Sequence, residues 1–257
     1  MRRPILVAGC GALAIAFAIG LAGCSLLFEQ AEKLPPTSVQ TLEYYPRQVK
    51  GYQNSYPPRR LLVLPAVDAR EFQDATAADH QPDPAGNVAI GVVMGRDRQI
   101  VQRLYASPLG PVVQKAFAAA ANEAGLSAVV SDQSLDAALG RASNADYVLV
   151  AKVTQGWVKR QRGADGRYGP IWTTAADFAV DVAIYKPPFH TPFWNEPTAA
   201  TYDDPPQSIF SGGPDDDTSI YDEPGQVLSV AFTRAVAGVF RRSVLRSLIL
   251  QDIVHPR

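Results

Sequence analysis

The chain has 257 residues, a formal net charge of −1, 47% hydrophobic residues and two cysteines. That length suits one domain of ordinary size with a tether. The near-neutral balance excludes the strongly basic surface of a typical nucleic-acid-binding domain, so no nucleic acid is expected as a partner.

The first element is a leader. Arg2 and Arg3 give a basic start, Ile5 to Leu21 is almost wholly apolar or small, and Leu21-Ala22-Gly23-Cys24 closes the run. This is the layout of a secretory signal with small residues at the cut. The run is just long enough to span a bilayer as an uncleaved anchor, but Gly9, Gly11 and Gly20 argue against that use. The ending resembles a bacterial lipobox. The resemblance implies a lipoprotein cut before Cys24 and acylated, palmitate included, on its sulfur. Residues 1–23 are then a signal peptide. Cys10 leaves with it, Cys24 carries lipid, and no disulfide remains to the exported domain, which must be held by packing. Losing Arg2 and Arg3 brings the mature charge to −3. Ser25, in place of aspartate after the cysteine, resembles the sorting signal for the Gram-negative outer membrane, with the domain facing the periplasm.

Residues 24–58 read as a lipid anchor and a flexible Pro- and Tyr-rich tether with a mean reach of about 30–35 Å. The tyrosines suggest that its second half, near Thr41 to Tyr45, docks on the domain. Residues 59–257 are expected to form a single α/β domain. Leu61 to Val67 is a short buried strand, with Pro65 near its end. Val88 to Met94 is a second strand, after a long polar segment. Ser107-Pro108 and Gly125 bracket a helix over 107–124, with an apolar, mostly small face. Ser127 to Val130 is a strand, and Leu135 with Leu139 marks a short helix. Asp146 to Thr154 is the central strand and Asp177 to Tyr185 an alternating one, joined as a hairpin through a turn at 163–166. Residues 187–224 read as a long irregular insertion, with Phe193-Trp194 as one possible short strand, and 226–250 as the second main helix. The fold class is a mixed sheet with two main helices packed on it.

Three short motifs carry a wider resemblance: Asp68-x-Arg70, Ile90-Gly91 and Ala145-Asp146-Tyr147-Val148-Leu149. Over roughly residues 59–185 the chain resembles small periplasmic lipoproteins of the YajG type. More distantly it is similar to the domain of CsgG and of the TolB N-terminus. The resemblance implies a non-enzymatic envelope protein acting through contacts with other proteins or lipids, with no catalytic residue carried over.

The residues themselves offer little chemistry. No nucleophile elbow, phosphate loop or dinucleotide fingerprint is present, and no cofactor is expected. His80, His190 and His255 lie far apart, without metal-ligand spacing. Asp215-Asp216-Asp217 lacks the spacing of a calcium loop and reads as solvated. Asp68 and Arg70 at a strand end read as a loop-fixing ion pair; an alternative is a hydrolase-type site joining them to Asp97. The insertion is rich in aromatics, and Phe193, Trp194, Phe210 and Tyr221 are its candidate partner contacts. The competing use of those rings is to cap the domain's own core. The expected partners are therefore the membrane, through lipidated Cys24, and other envelope proteins; the sequence leaves the oligomeric state open.

Overall fold

The computed structural model describes residues 36–46, 58–71, 85–140, 144–166, 169–207 and 223–254. Its strands are β1 (Thr37–Val39), β2 (Arg60–Val63), β3 (Val67–Asp68), β4 (Val88–Met94), β5 (Ile100–Ala106), β6 (Ser127–Val130), β7 (Tyr147–Gly166), β8 (Gly169–Tyr185) and β9 (Pro192–Gln207). The helices are α1 (Leu109–Glu123), α2 (Leu135–Leu139), α3 (Pro224–Arg241) and α4 (Ser243–Val254). This is a mixed α/β fold with one large mixed sheet and two long helices.

The sheet is built on β7. Its 20 residues are long enough to take several short strands in succession along one edge. β2 pairs in parallel with its start (Leu61 with Tyr147), β3 with Lys152 and Val153, and β4 with its second half (Gly91 with Val158). Along the other edge β8 runs antiparallel from Val148 to Gly166, and β9 runs antiparallel on β8. β6 flanks β2, while β5 and then β1 extend the sheet beyond β4.

One face carries the main core. Val63, Leu149, Val153, Phe178, Val180 and Val182 are buried against α1 and α3. The helices supply Val113, Phe117, Leu228, Phe232 and Val239, each fully buried. Phe178 meets Phe232 edge-on with ring centroids 4.9 Å apart. Burying each such ring contributes about 1.5–3 kcal/mol. On the opposite face Leu64 and Val148 meet Ala138 and Leu139 of α2 in a smaller cluster.

The helix signals act much as expected. Gly125, at φ 89°, ends α1, and Leu126 N–H reaches back to the Ala121 carbonyl. At the other end the helix opens at Leu109 rather than at 107, Pro108 is the cap residue, and no side chain caps the helix. Ser134 does cap α2, its Oγ accepting from Ala137 N–H. Gln114, buried on α1, donates to the carbonyls of Val63 and Ser131 and so ties the ends of β2 and β6 to the helix.

Several expectations change. The strand expected over Leu61 to Val67 is two, β2 and β3, with Leu64 to Ala66 between them. Residues 192–207 are not irregular: they form the 16-residue β9. Thr198, Thr201 and Tyr202 favour extended backbone, and Pro192 and Pro197 are tolerated because, among the described residues, β9 pairs on one side only, with β8. The last helix is two helices, broken at Arg242 (ψ 123°). The Arg242 side chain pairs with Glu196, donates to the Pro197 carbonyl at 2.7 Å and faces the Trp194 ring. The hairpin also runs further than expected, so 163–166 belong to β7 beside a bulge rather than to the turn.

The tether is shorter than its composition suggests. β1 pairs with β5, and the segment after it docks along α3 as Thr41 to Tyr45 were expected to do. Gln40 Oε1 accepts from Gly225 N–H, and Ser229 Oγ and Thr233 Oγ1 accept from the backbone N–H groups of Glu43 and Tyr45. Leu42 is buried, and Tyr44 sets its ring against Phe232 while its hydroxyl donates to Glu123. The leader, Cys24 and residues 47–57 of the tether lie outside the described residues.

Candidate functional site

The most tightly built polar group lies where β7 changes partners. Arg70 follows β3 directly, and its side chain is only 4% exposed. A guanidinium removed from water needs all its donors engaged. Nε and Nη2 each donate to Asp68 at 2.8 Å, a two-pronged pair, and Nη1 donates at 2.9 Å to the carbonyls of both Ala89 and Gly156. Arg70 thus joins β3, β4 and β7 in one node.

Glycine completes the node. A Cβ on Gly91 would lie 2.0 Å from the Val158 carbonyl oxygen, so only glycine lets β4 close on β7 there. Asp68-x-Arg70 and Ile90-Gly91, two separate signals along the chain, are two sides of one structural contact. Asp97 is not part of it. It sits in the β4–β5 turn, accepting from Gln99 N–H, beyond the far end of β4 from Ala89. The stretch of strand from Ala89 to Met94 alone is about 16 Å. Asp68, Arg70 and Asp97 therefore do not assemble into the hydrolase-type site, and the pair takes the structural use.

A second polar group closes the C-terminal helix onto the sheet. Tyr147, fully buried at the start of β7, donates to Asp252 Oδ2 on α4 at 2.6 Å. Lys186, just past β8, forms an ion pair with Asp252 Oδ1. Burial works to raise the Asp252 carboxyl, but the hydrogen bonds from Lys186 and Tyr147, with the Lys186 and Arg59 charges, outweigh it and hold it below the ordinary range. Burial first, then the bond to Asp252 and its charge, push the Tyr147 hydroxyl well above the ordinary tyrosine range. Asp146 beside it accepts from Arg59 at 3.1 Å and from Arg60 N–H at 2.8 Å, so the Ala145-Asp146-Tyr147 motif fastens both the β2 start and α4. The tyrosine belonged to a quoted motif; Lys186 and Asp252 carried no signal, being 39 and 105 residues away from it.

The remaining candidates disperse. Trp194 is 5% exposed in the core. Phe193 is half-buried against Tyr147, with centroids 5.6 Å apart. On β9 both rings take the core-capping position: neighbours on a regular strand face opposite sides, but the register shift between Ile184 and Tyr185 makes Phe193 an extra residue beside Trp194, so both can turn to the core. Phe210, Tyr221 and Asp215 to Asp217 lie outside the described residues, as do His80 and His255. His190 is exposed, 3.8 Å from Asp136. Among the described residues no group of three or more His, Cys, Asp or Glu side chains converges to hold a metal. A cavity of about 290 Å³ opens between α2 and the starts of β2 and β6, with Arg60, Ser127, Gln133 and Asn144 over a floor that includes Leu62. Arg60 is its one charged lining residue, so it offers no acid–base pair.

The fold and site together define a mixed α/β domain whose buried ion pairs serve its own architecture. No protein family matches the sequence, and no curated protein does. Solved structures give distant likenesses. A Xanthomonas campestris protein of family DUF330 is 12% identical over 84% of this chain and 98% of its own, with a TM-score of 0.42. A putative neuraminyllactose-binding hemagglutinin homologue from Helicobacter pylori is 7% identical over 82% and 99%, with a TM-score of 0.43. Lipoprotein GNA1162 of Neisseria meningitidis is 12% identical over 77% and 99%, with a TM-score of 0.22. Identities and scores this low assign no family and transfer no residue.

Proposed function

We propose that this chain is a lipid-anchored, non-catalytic accessory protein of the bacterial envelope, working through contacts with proteins or lipids in assembly or transport. The observation that carries the proposal is Leu21-Ala22-Gly23-Cys24 at the end of the apolar leader, twelve residues before the domain begins at Pro36. Ser25 favours the outer membrane, facing the periplasm, and the three matching motifs favour kinship with YajG-type lipoproteins. The non-catalytic part is supported by how the polar groups are used. Arg70 and Asp68 satisfy each other and two backbone carbonyls, and Asp252 is engaged by Tyr147 and Lys186. Among the described residues, no helix is long and apolar enough to cross a membrane.

The test is Cys24→Ala with mass analysis and radiolabelled palmitate. The unaltered chain is expected to start at Cys24, carry the label and sediment with outer-membrane fractions. The variant is expected to keep residues 1–23 and take no label. A labelled variant of mature size would overturn the anchor, and labelled protein in the inner membrane would overturn the location.

A further inference from the structure

We infer that the outer edge of β9 is a self-association surface, on which a second copy of this chain adds its own β9 antiparallel about a two-fold axis at Ala199. It does so whether or not Cys24 carries lipid. The directions of the main-chain groups lead there. The Leu149 and Val153 carbonyls face β2 and β3, where Leu64 N–H and Ala69 N–H reach them. Main-chain groups alternate sides along a strand, so Val148, Val150 and Lys152 turn theirs to β8, opposite Tyr185, Ala183 and Asp181. Val180, Val182 and Ile184 then serve β9 and bond Thr198, Glu196 and Trp194. Asn195, Pro197, Ala199, Thr201 and Asp203 therefore point their main-chain groups off the sheet, and all five residues are exposed. Two arginines show the same direction. Arg242 donates to the Pro197 carbonyl at 2.7 Å, and Arg234 to the Thr201 carbonyl at 3.3 Å.

This edge complements itself. Pro197 has no N–H to offer, and the Thr201 carbonyl is already engaged by Arg234. With Ala199 opposite Ala199 of the second copy, Pro197 falls opposite Thr201. The missing donor then meets the occupied acceptor, and Thr201 N–H meets the second lone pair of the Pro197 carbonyl. Asn195 and Asp203 exchange both bonds, as the two Ala199 residues do, which gives about eight main-chain bonds with no group left over. Sliding the strands by two residues sets Pro197 opposite Asp203 or Ala199 and strands a carbonyl. A further step sets it opposite Pro205 or Pro197, where neither strand donates. The side chains agree with the same register. Glu196, 38% exposed, falls opposite Tyr202 of the second copy, over whose ring Arg234 lies at 4.6 Å. A cation thus comes beside a carboxylate across the axis. Along β9, and along α3 to Arg242, the charges are Arg234, Arg241 and Arg242 against Glu196, Asp203 and Asp204, so no net charge repels the copy. The outer strand β6 contrasts with this. There the Asn122 amide accepts from Ala128 N–H at 2.8 Å and donates to its carbonyl at 3.4 Å, standing where a neighbouring strand would bond.

The experiment measures self-association of the full chain by sedimentation. Detergent micelles are kept in large molar excess, so that two copies share a micelle only by binding each other. The chain is expected to form a concentration-dependent dimer. Ala199→Pro removes the central N–H without taking a bond from β8, and should give a monomer with an unchanged Tm. Should its Tm fall, the exposed Asn195 carries the test. Asn195→Asp sets a carboxylate opposite Asp203 at two symmetry-related places and should weaken the dimer about tenfold, while Asn195→Lys should tighten it about as much. Three results overturn the inference. They are a chain still monomeric at about 100 μM, weaker than standard interfaces bind, a folded Ala199→Pro dimer, or Asn195→Asp and Asn195→Lys failing to move the equilibrium in opposite directions.

Discussion

The Arg70 node and the Asp252 latch make the same kind of contact with opposite sequence economy. In the node, acid and base are two residues apart, and the long-range partners are backbone carbonyls, Ala89 and Gly156. In the latch, the partners are side chains from three distant places, Tyr147, Lys186 and Asp252. The node fixes how strands of one sheet meet, so its loss propagates into the core. The latch fastens a terminal helix to a finished sheet, so its loss is local. Buried ionic groups thus differ less in their chemistry than in what they hold together.

The largest expected effect comes from breaking the node. Arg70→Ala leaves Asp68 without its partner and two carbonyls without donors, and should cost about 3–5 kcal/mol in urea unfolding, near the total margin of many domains. Arg70→Lys should recover less than half of that, because an ammonium cannot grip a carboxylate with two prongs and reach both carbonyls. A loss under about 1 kcal/mol for Arg70→Ala would show that water replaces the guanidinium at low cost.

The latch should give a smaller effect with a pH signature. Asp252→Asn is expected to cost about 1–3 kcal/mol near pH 7, its carboxylate being only 12% exposed. The folded-state pKa of Asp252 is lowered, so its stabilisation is full above the unfolded value of about 4 and is lost as pH falls through the folded one. The gap between the two proteins should therefore close in acid. Tyr147 behaves in the opposite range. Its folded pKa is raised, so above about pH 10 the unfolded chain ionises while the folded one resists, and stability falls. Tyr147→Phe should flatten that alkaline fall. An unchanged slope would place the hydroxyl outside the network.

The smallest effect sharpens the comparison by reversing its sign. Asp177, on the sheet face away from α1 and α3, is raised by burial and then by Asp203. Its charge opposes folding at neutral pH, so Asp177→Asn should stabilise slightly there, and the gain should vanish below about pH 4, where the unfolded carboxyl is also protonated. Equal destabilisation at both pH values would mean that Asp177 accepts a hydrogen bond worth more than its burial costs.

What the sequence makes legible follows the same division between local and distant. Val88 to Met94, Ser127 to Val130 and Leu135 to Leu139 are bounded by turn residues and formed of apolar runs, and the structure keeps those limits. The second half of β7 was hidden, since Gln155, Lys159, Gln161 and Arg162 give no apolar alternation; β4 and β8 on its two edges hold it extended. β5 was hidden behind its bulged register on β4, and β9 behind its prolines. The α3–α4 break was hidden because Arg242 is an ordinary helix former until Glu196 and Pro197 give it something better to hold. Asp68 and Arg70 could be paired from their spacing alone, but backbone acceptors such as Ala89 and Gly156 leave no trace in residue identity.

The strap from Pro36 to Tyr45 has a mechanical consequence. Because β1 enters parallel to β5, a pull on the chain before Pro36, directed along the strand, loads the β1–β5 hydrogen bonds together in shear instead of peeling them one by one. Behind them the load passes to Gly225, Ser229 and Thr233, spaced four residues apart along one side of α3. That helix lies across β8 and β9, so tension at the tether is received by the widest part of the core and spread before any single contact carries it alone.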